Sequence, residues 1–175
     1  ALFHILNHAT FKSLYFMVAG SVEYSTGERD ITKLGGLSDK MPITFLSSLS
    51  ASFSLSGVPP FGGFFSKLLI ILALFKAGYI TVGLLVVISA VLTLAYFLKI
   101  QRNVFLKERG TDAKQNAELT RIKEVPVLMR VSMLTLAVVC LLLGLASPWI
   151  IEHVIMPAVS VLTLGTGYGN LILGL

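Results

Sequence analysis

Long apolar stretches separated by short polar ones dominate this 175-residue chain. Uninterrupted hydrophobic runs of roughly 18 or more residues are too long for a soluble core and match the length of membrane-spanning helices. The pattern predicts five spanning segments: 1–22, 43–58, 61–77, 79–98 and 127–149. The second and third are short for a hydrocarbon core about 30 Å thick at about 1.5 Å per residue. Between them runs Ser56-Gly57-Val58-Pro59-Pro60-Phe61-Gly62-Gly63-Phe64-Phe65-Ser66-Lys67. Prolines and glycines at this density break or cap helices, so the stretch reads as one helix ending, a tight reversal and a second helix beginning. Short, Gly/Pro-interrupted apolar segments are also the mark of discontinuous transporter helices. The expected fold class is therefore an all-α membrane protein with about five transmembrane helices, one of them discontinuous. Residues 1–149 form the expected membrane domain. Residues 150–175, with Pro157 and the glycine-rich stretch Gly165 to Gly169, form an interfacial or short membrane segment.

Composition supports that reading. The chain is 55% hydrophobic and 13% charged, about half the charged fraction of a soluble domain (about 25%). A net charge of +5 raises the question of nucleic-acid binding, but most of the excess sits in one loop, where orientation in a bilayer accounts for it. The single cysteine, Cys140, lies in an apolar run and excludes an internal disulfide or a thiolate metal cluster. The chain starts at Ala1 inside a hydrophobic segment, with no initiator Met and no signal peptide. The expectation from this is a fragment or a split subunit whose first half lies on another polypeptide.

Loop charge predicts orientation. The loop Glu23 to Lys40 carries Arg29, Lys33 and Lys40 against Glu23, Glu28, Asp30 and Asp39. The loop Lys99 to Glu124 carries seven Lys and Arg against four acids, so it is the expected cytoplasmic loop. With five separate crossings the 23–40 loop then falls on the external side. Gln115 to Ile122 reads as a short surface helix. Lys76, Arg130, Glu152 and His153 lie near segment ends and read as interfacial.

Two polar features stand out against this background. Lys67 lies about two turns beyond Pro60 and leads straight into an apolar run, and an ionisable group at membrane depth is a functional-site hypothesis by default. The competing reading is a lysine that snorkels to the interface. The second feature is His4, His8 and Lys12, each four residues apart and therefore on one face of a helix. Three titratable groups over roughly 12 Å make a ladder for handing on protons. Histidine suits the task because it titrates near neutrality and offers two nitrogens. A lysine in low dielectric loses its preference for the charged form and is then able to cycle. Asn7, Thr10 and Ser13 are candidates for holding water beside the row. Packing histidines are the plainer alternative. His4 and His8 also have the spacing of a metal or haem pair, but no third ligand or Glu-bearing HExxH pattern follows. No catalytic centre, nucleotide fingerprint, cofactor site or metal site is expected.

At these residues the chain resembles a known family. Leu2-Phe3-His4-Ile5-Leu6-Asn7-His8-Ala9-Thr10-Phe11-Lys12, Gly20-Ser21-Val22, Asp30-Ile31, Leu34-Gly35-Gly36-Leu37, Lys40-Met41-Pro42 and the run from Gly57 to Lys67 occur in the order found in the antiporter-like subunits of respiratory complex I. The same family supplies subunits of membrane-bound hydrogenases and multisubunit sodium/proton antiporters. Beyond Leu98 the resemblance is one of hydrophobic outline. It implies a fourteen-helix core of two inverted repeats, each with a broken helix. This chain is similar to the second repeat from its second helix onward, with the 61–77 segment as the broken helix. It further implies that His4, His8 and Lys12 belong to a central hydrophilic axis and that Lys67 is the terminal site of proton exchange. Gly57, Pro59, Pro60, Gly62 and Gly63 would form the helix break. The first repeat, with its glutamate–lysine pair, has no counterpart in these residues.

The leading expectation is a proton-translocating membrane subunit, or part of one, of a redox-driven pump like complex I or a membrane-bound hydrogenase. In such a pump the redox centres lie in other subunits. The alternatives are a subunit of a multisubunit cation/proton antiporter without redox activity, or a non-conducting structural subunit. Expected partners are other membrane subunits (one of them a chain supplying the first repeat), the lipid bilayer, and protons or sodium ions. The expected location is a prokaryotic cytoplasmic membrane.

Overall fold

The computed structural model describes residues 1–107 and 122–164, and every regular element among them is helical. In chain order these are α1 (Leu2–Thr26), α2 (Pro42–Ser56), α3 (Gly62–Lys76), α4 (Ile80–Gln101), α5 (Val127–Leu145), α6 (Ser147–Ile150) and α7 (Met156–Leu164). A π-helical turn over Arg102–Leu106 prolongs α4, and another over Ile151–Ile155 joins α6 to α7. Local sequence sets the ends. Pro42 opens α2 in its first turn, where the missing N–H had no helical partner to lose. Gly57 closes α2 at φ 83°, with its own N–H and that of Val58 both donating to the Phe53 carbonyl, at 3.0 and 2.9 Å. That left-handed cap suits glycine, which carries no Cβ to clash. Ser147-Pro148 starts a new short helix, so α5 stops at Leu145 before the expected end of that segment at Trp149. The expected surface helix at 115–122 and the glycine-rich end at 165–169 fall, apart from Ile122, outside the described residues.

The direction of each helix follows from its contacts. Ser48 of α2 shares a cavity wall with Val18 and Val22 of α1, and Leu55 shares one with Lys12. Beyond the break, Gly62 abuts Asn7. Ser66 hydrogen-bonds His4, and Ala73 and Ala77 line a groove with Ala1. The partner on α1 thus falls steadily from Val22 to Ala1 as the chain advances from Ser48 to Ala77. α2 and α3 therefore run the same way, one after the other, as two halves of a single broken traverse.

This corrects the expected tight reversal. The segment 57–61, with a cis bond between Pro59 and Pro60, interrupts the helical ladder without turning the chain back. Each half has 15 residues, about 22 Å at 1.5 Å per residue. Neither half alone matches a core about 30 Å thick, whereas the two in series exceed it.

The remaining helices complete the bundle. α4 runs back: Gly83 packs on Phe75, the Phe97 ring meets Tyr15 at 4.9 Å, and Phe105 reaches Phe45 at 5.2 Å. α5 returns beside α2, from Glu124 at the start of α2, past Met133 against Ser21, to Gly144 against Pro60. The described residues pass through the bundle four times.

Merging two segments into one traverse changes the parity, and with it the sidedness. Ser38 N–H donates to the Phe105 carbonyl at 3.1 Å, and Glu124 accepts from Ile43 N–H at 2.9 Å. The 23–40 loop and the ends of the 99–124 loop therefore lie at the same end of the bundle. The expected placement of one loop as cytoplasmic and the other as external does not hold.

Phe11, Leu14, Val18, Leu37, Met41 and Met133 anchor one buried cluster where α1, α2 and α5 meet the 34–41 segment. The outward faces of α4 and α5 stay apolar, with Leu84, Leu85, Val91 and Leu92 on one and Leu128, Val131 and Leu142 on the other all exposed. The helices over Ile80–Leu106 and Val127–Leu145 are long and apolar enough to cross a membrane. Helices apolar around their whole circumference need lipid or other apolar helices against them.

Candidate functional site

The break between α2 and α3 places Lys67. Leu55 and Ser56 end α2, so their carbonyls lack helical partners. The Lys67 ammonium bends back from the second turn of α3 and donates to the carbonyl of Leu55 at 2.7 Å and of Ser56 at 3.2 Å. It thus sits at the negative end of the α2 dipole, half-buried in the interior of the traverse. The carbonyls freed at the break take the ammonium directly. Close packing depends on the glycines. A Cβ at Gly63 would overlap the Ser54 carbonyl, one at Gly62 would overlap the Asn7 amide oxygen, and one at Gly57 would press on Lys67 Cδ at 3.1 Å.

The α1 row reaches this break at one end. His4 Nδ1 and Ser66 Oγ are 2.9 Å apart, and Ser66 Oγ also donates to the Gly63 carbonyl at 3.1 Å. In the arrangement where the serine proton goes to that carbonyl, His4 Nδ1 carries the hydrogen and donates, with Nε2 as the basic nitrogen. The His4 and His8 rings lie 6.2 Å apart, and His8 stacks edge-on against Phe11 at 5.3 Å. Lys12 opens onto a groove between α1 and α4 with Leu55, Leu85, Tyr96 and Phe97 on its walls. His8 and Lys12 are exposed in this chain, while Asn7 faces the buried side and packs against Gly62. The structure therefore brings His4 to the helix break beside Lys67, with His8 and Lys12 trailing away along the outer face. Asn7 donates to Phe3 O and Thr10 to Leu6 O, both within α1. Among the described residues no group of three or more His, Cys, Asp or Glu side chains gathers to hold a metal ion.

Glu124 was not expected at the site, yet it seals the other end of α2. Its Oε2 accepts from the N–H of Ile43 at 2.9 Å and its Oε1 from Thr44 Oγ1 at 2.6 Å. A carboxylate at a helix N-terminus and an ammonium at its C-terminus each contribute about 0.3–1 kcal/mol, up to ~2 kcal/mol when partly buried. α2 is held by opposite charges at both ends.

The family model described as "NADH:quinone oxidoreductase/Mrp antiporter, TM" matches residues 1–93, which is more than half the chain and contains every residue of the break and of the His4 row. The chain belongs to this family. Within it, the chain is 36% identical over 170 residues to the Na(+)/H(+) antiporter subunit A1 of Staphylococcus saprophyticus, covering 91% of the chain and 21% of that protein. It is 32% identical to the corresponding subunit of Staphylococcus haemolyticus, covering 93% and 21%. It thus spans about a fifth of the length of these relatives. Among solved structures it is similar to the Mrp complex from Dietzia sp. DQ12-45-1b, with a TM-score of 0.76 and 27% identity over 86% of the chain and 35% of the other. It also matches the membrane-bound sulfane sulfur reductase, an archaeal respiratory membrane complex, with a TM-score of 0.74 and 31% identity over 82% and 23%.

For this antiporter-family chain, one signal missed at the sequence level was available. Thr44, Ser48, Ser52 and Ser56 recur every fourth residue of α2, a polar row inside an apolar segment. Glu124 carries no comparable mark, because its partner Thr44 is 80 residues away in the chain.

Proposed function

We propose that this chain is an ion-translocating part of a multisubunit cation/proton antiporter of the Mrp type, with His4, His8, Lys12 and Lys67 as its proton-carrying groups. The observation that carries this reading is the similarity to Na(+)/H(+) antiporter subunits across 91% of the chain. That similarity favours the antiporter over the redox-driven pump that the motifs alone put first. The redox-coupled reading keeps one support of its own, the likeness to an archaeal respiratory membrane complex.

In the proposed arrangement α1, the broken pair α2–α3, α4 and α5 each cross the bilayer. The break lies between α2 and α3 and not within the third expected segment. Residues 1–149 form the membrane domain, with the C-terminal stretch along its edge. Both long loops then face the cytoplasm, since together they carry Arg29, Lys33, Lys40 and seven further Lys and Arg, while Lys76 stands at the opposite end. The exposed His8 and Lys12 meet other membrane helices in the assembly, because a row of ionisable groups is too costly to leave against lipid. The first repeat remains part of this proposal; in the staphylococcal relatives the matched stretch is 21% of one protein.

The test is exchange in vesicles carrying the assembled complex. The expected outcome is that added sodium collapses an imposed pH gradient without any electron donor, and that Lys67→Ala abolishes the response. A proton flux that appears only with electron transfer, and ignores sodium, would transfer the chain to the redox-coupled reading.

A further inference from the structure

Along α2, Thr44, Ser48, Ser52 and Ser56 follow one another at four-residue steps, each advancing about 40° around the helix, and the middle two meet α4. All four are buried, with exposures of 0%, 1%, 2% and 4%. One side chain ties the middle of the row together: Gln101 Nε2 donates to Ser48 Oγ at 2.6 Å and to Ser52 Oγ at 2.8 Å. At the loop end Thr44 Oγ1 donates to Glu124 Oε1 at 2.6 Å. At the break end Ser56 hands its carbonyl to the Lys67 ammonium at 3.2 Å. A row of four small hydroxyls, spaced one helical turn apart, therefore runs between a carboxylate and an ammonium over roughly 20 Å of helix, with gaps between successive hydroxyls that water would have to bridge.

Packing alone does not account for the row. Four buried hydroxyls and a buried amide in an apolar bundle each cost free energy unless their hydrogen-bonding capacity is met. Two atoms of this set, Gln101 Oε1 and Ser56 Oγ, have no protein partner among the described residues, and Gln101 is itself only 1% exposed. Buried polar atoms of this kind are satisfied by ordered water. Gln101 as a double donor also fixes the roles of its neighbours: Ser48 and Ser52 accept from it and keep their own protons to give onward.

We propose that the Thr44–Ser48–Ser52–Ser56 row, bridged by Gln101, is a hydrated proton path between the helix break and the loop end of the bundle, with Glu124 as its terminal proton acceptor. The balance is simple. An ammonium at Lys67 gives one proton to an adjacent water. Along the row each water or hydroxyl forms one O–H bond as it breaks another. The Glu124 carboxylate takes the last proton and releases it to the loop side, and Lys67 is recharged from the His4 side. The glutamine relays nothing itself; it holds the two central serines in register. The supply from Lys67 rests on the function proposed above, whereas the path and its hydration do not.

The test uses the assembled complex in a Cys140→Ser background. A small charged methanethiosulfonate reagent modifies thiols only where water reaches them. Ser52→Cys should label readily, and Ala51→Cys, equally buried but one residue off the row, should stay unlabelled. Equal labelling of the two, or none at Ser52→Cys, overturns the path. In vesicles Glu124→Gln, which keeps an amide oxygen for Thr44, should slow proton exchange roughly tenfold or more. Ser52→Val should do the same while the complex assembles normally. Wild-type exchange in both variants, alongside a dead Lys67→Ala, overturns the path and leaves the proposed axis standing. Slow exchange in both alongside a fully active Lys67→Ala sinks the axis and supports the path.

Discussion

The ammonium of Lys67 holds the carbonyl of Leu55 at 2.7 Å, so the residue with the strongest functional signature in the chain also closes the C-terminus of the preceding helix. Two roles converge on one nitrogen, and they separate chemically. A helix-closing cation needs charge and donors, which arginine supplies. A proton carrier must give up its proton, which a guanidinium does not do. Lys67→Arg is therefore expected to assemble and melt like the wild type while losing proton exchange. Lys67→Ala should lose exchange and, with the two carbonyls left short of a charge-assisted donor, about 1.5–3 kcal/mol of stability. Thermal unfolding and vesicle exchange measured on the same preparations check both. Full exchange in Lys67→Arg would leave only the structural role.

A second expectation concerns sidedness. Since Ser38 bonds to Phe105 and Glu124 to Ile43, residues of the two long loops react from the same side of the membrane. Cysteines placed at Lys33 and Lys107, in a Cys140→Ser background, should both be protected from an impermeant reagent in intact cells and both label in inverted vesicles. Opposite labelling of the two positions would refute the four-traverse arrangement.

Much of this was legible in the chain, and the part that was not has a physical cause. Helix positions follow apolar runs closed by Pro42, Gly57 and the Pro59–Gly63 stretch, which are local signals. The four-residue spacing of His4, His8 and Lys12 places them along one side of α1. Direction of travel is different. Pro-Pro and Gly-Gly pairs mark an interruption but do not encode whether the chain turns back or continues. That is decided by Gly63 against Ser54 and Gly62 against Asn7, contacts that depend on the third dimension. One misjudged turn then inverted the sidedness of a whole loop. Glu124 was missed for a related reason, since a cap supplied from a distant loop leaves no local spacing to read.

The glycines at the break give a third expectation. A Cβ at Gly63 would overlap the Ser54 carbonyl, and one at Gly144 the Pro60 carbonyl; both neighbours are backbone and cannot rotate away. Gly63→Ala and Gly144→Ala should each cost about 1–3 kcal/mol, as overpacked cores do. Gly20, in the interior of α1, has open space around its Cα. Gly20→Ala should stabilise by about 1 kcal/mol through helix propensity alone. Melting temperatures in detergent rank the three, and a harmless Gly63→Ala would mean that the two helix halves are not in close contact.

The loop after α1 titrates in acid. Glu28 Oε1 accepts the N–H groups of Arg29 and Asp30, both at 2.9 Å, which holds its carboxyl below the usual carboxylate range. The hydroxyl and N–H of Thr32 do the same for Asp30, at 2.7 and 2.9 Å. Folded values below the unfolded ones mean that these turns contribute order above about pH 4 and lose it as pH falls through the lowered folded values. Amide exchange at Asp30 and Thr32, corrected for intrinsic rates, should accelerate between pH 5 and pH 2. Asp30→Asn should remove the Thr32 component. An unchanged protection factor across that window would show that the turns do not need the charges.

The joint between His4 and Ser66 yields the last expectation. When Ser66 gives its only proton to the Gly63 carbonyl, it accepts from His4 Nδ1–H, and Nε2 is then the basic nitrogen. That nitrogen can take up a proton without breaking the joint to α3. Asparagine places an amide N–H close to where Nδ1–H stands but offers no titrating nitrogen. His4→Asn should therefore keep α1 seated on α3, with assembly and melting close to wild type, while proton exchange falls. Ser66→Ala should act the other way round: the imidazole stays able to titrate but loses its anchor, so exchange drops only several-fold and the break loosens by about 1 kcal/mol. Measuring exchange and melting for the pair distinguishes a titrating histidine from a packing one. If His4→Asn exchanges protons at the wild-type rate, the histidine serves as a strut between the two helices and the α1 row starts at His8.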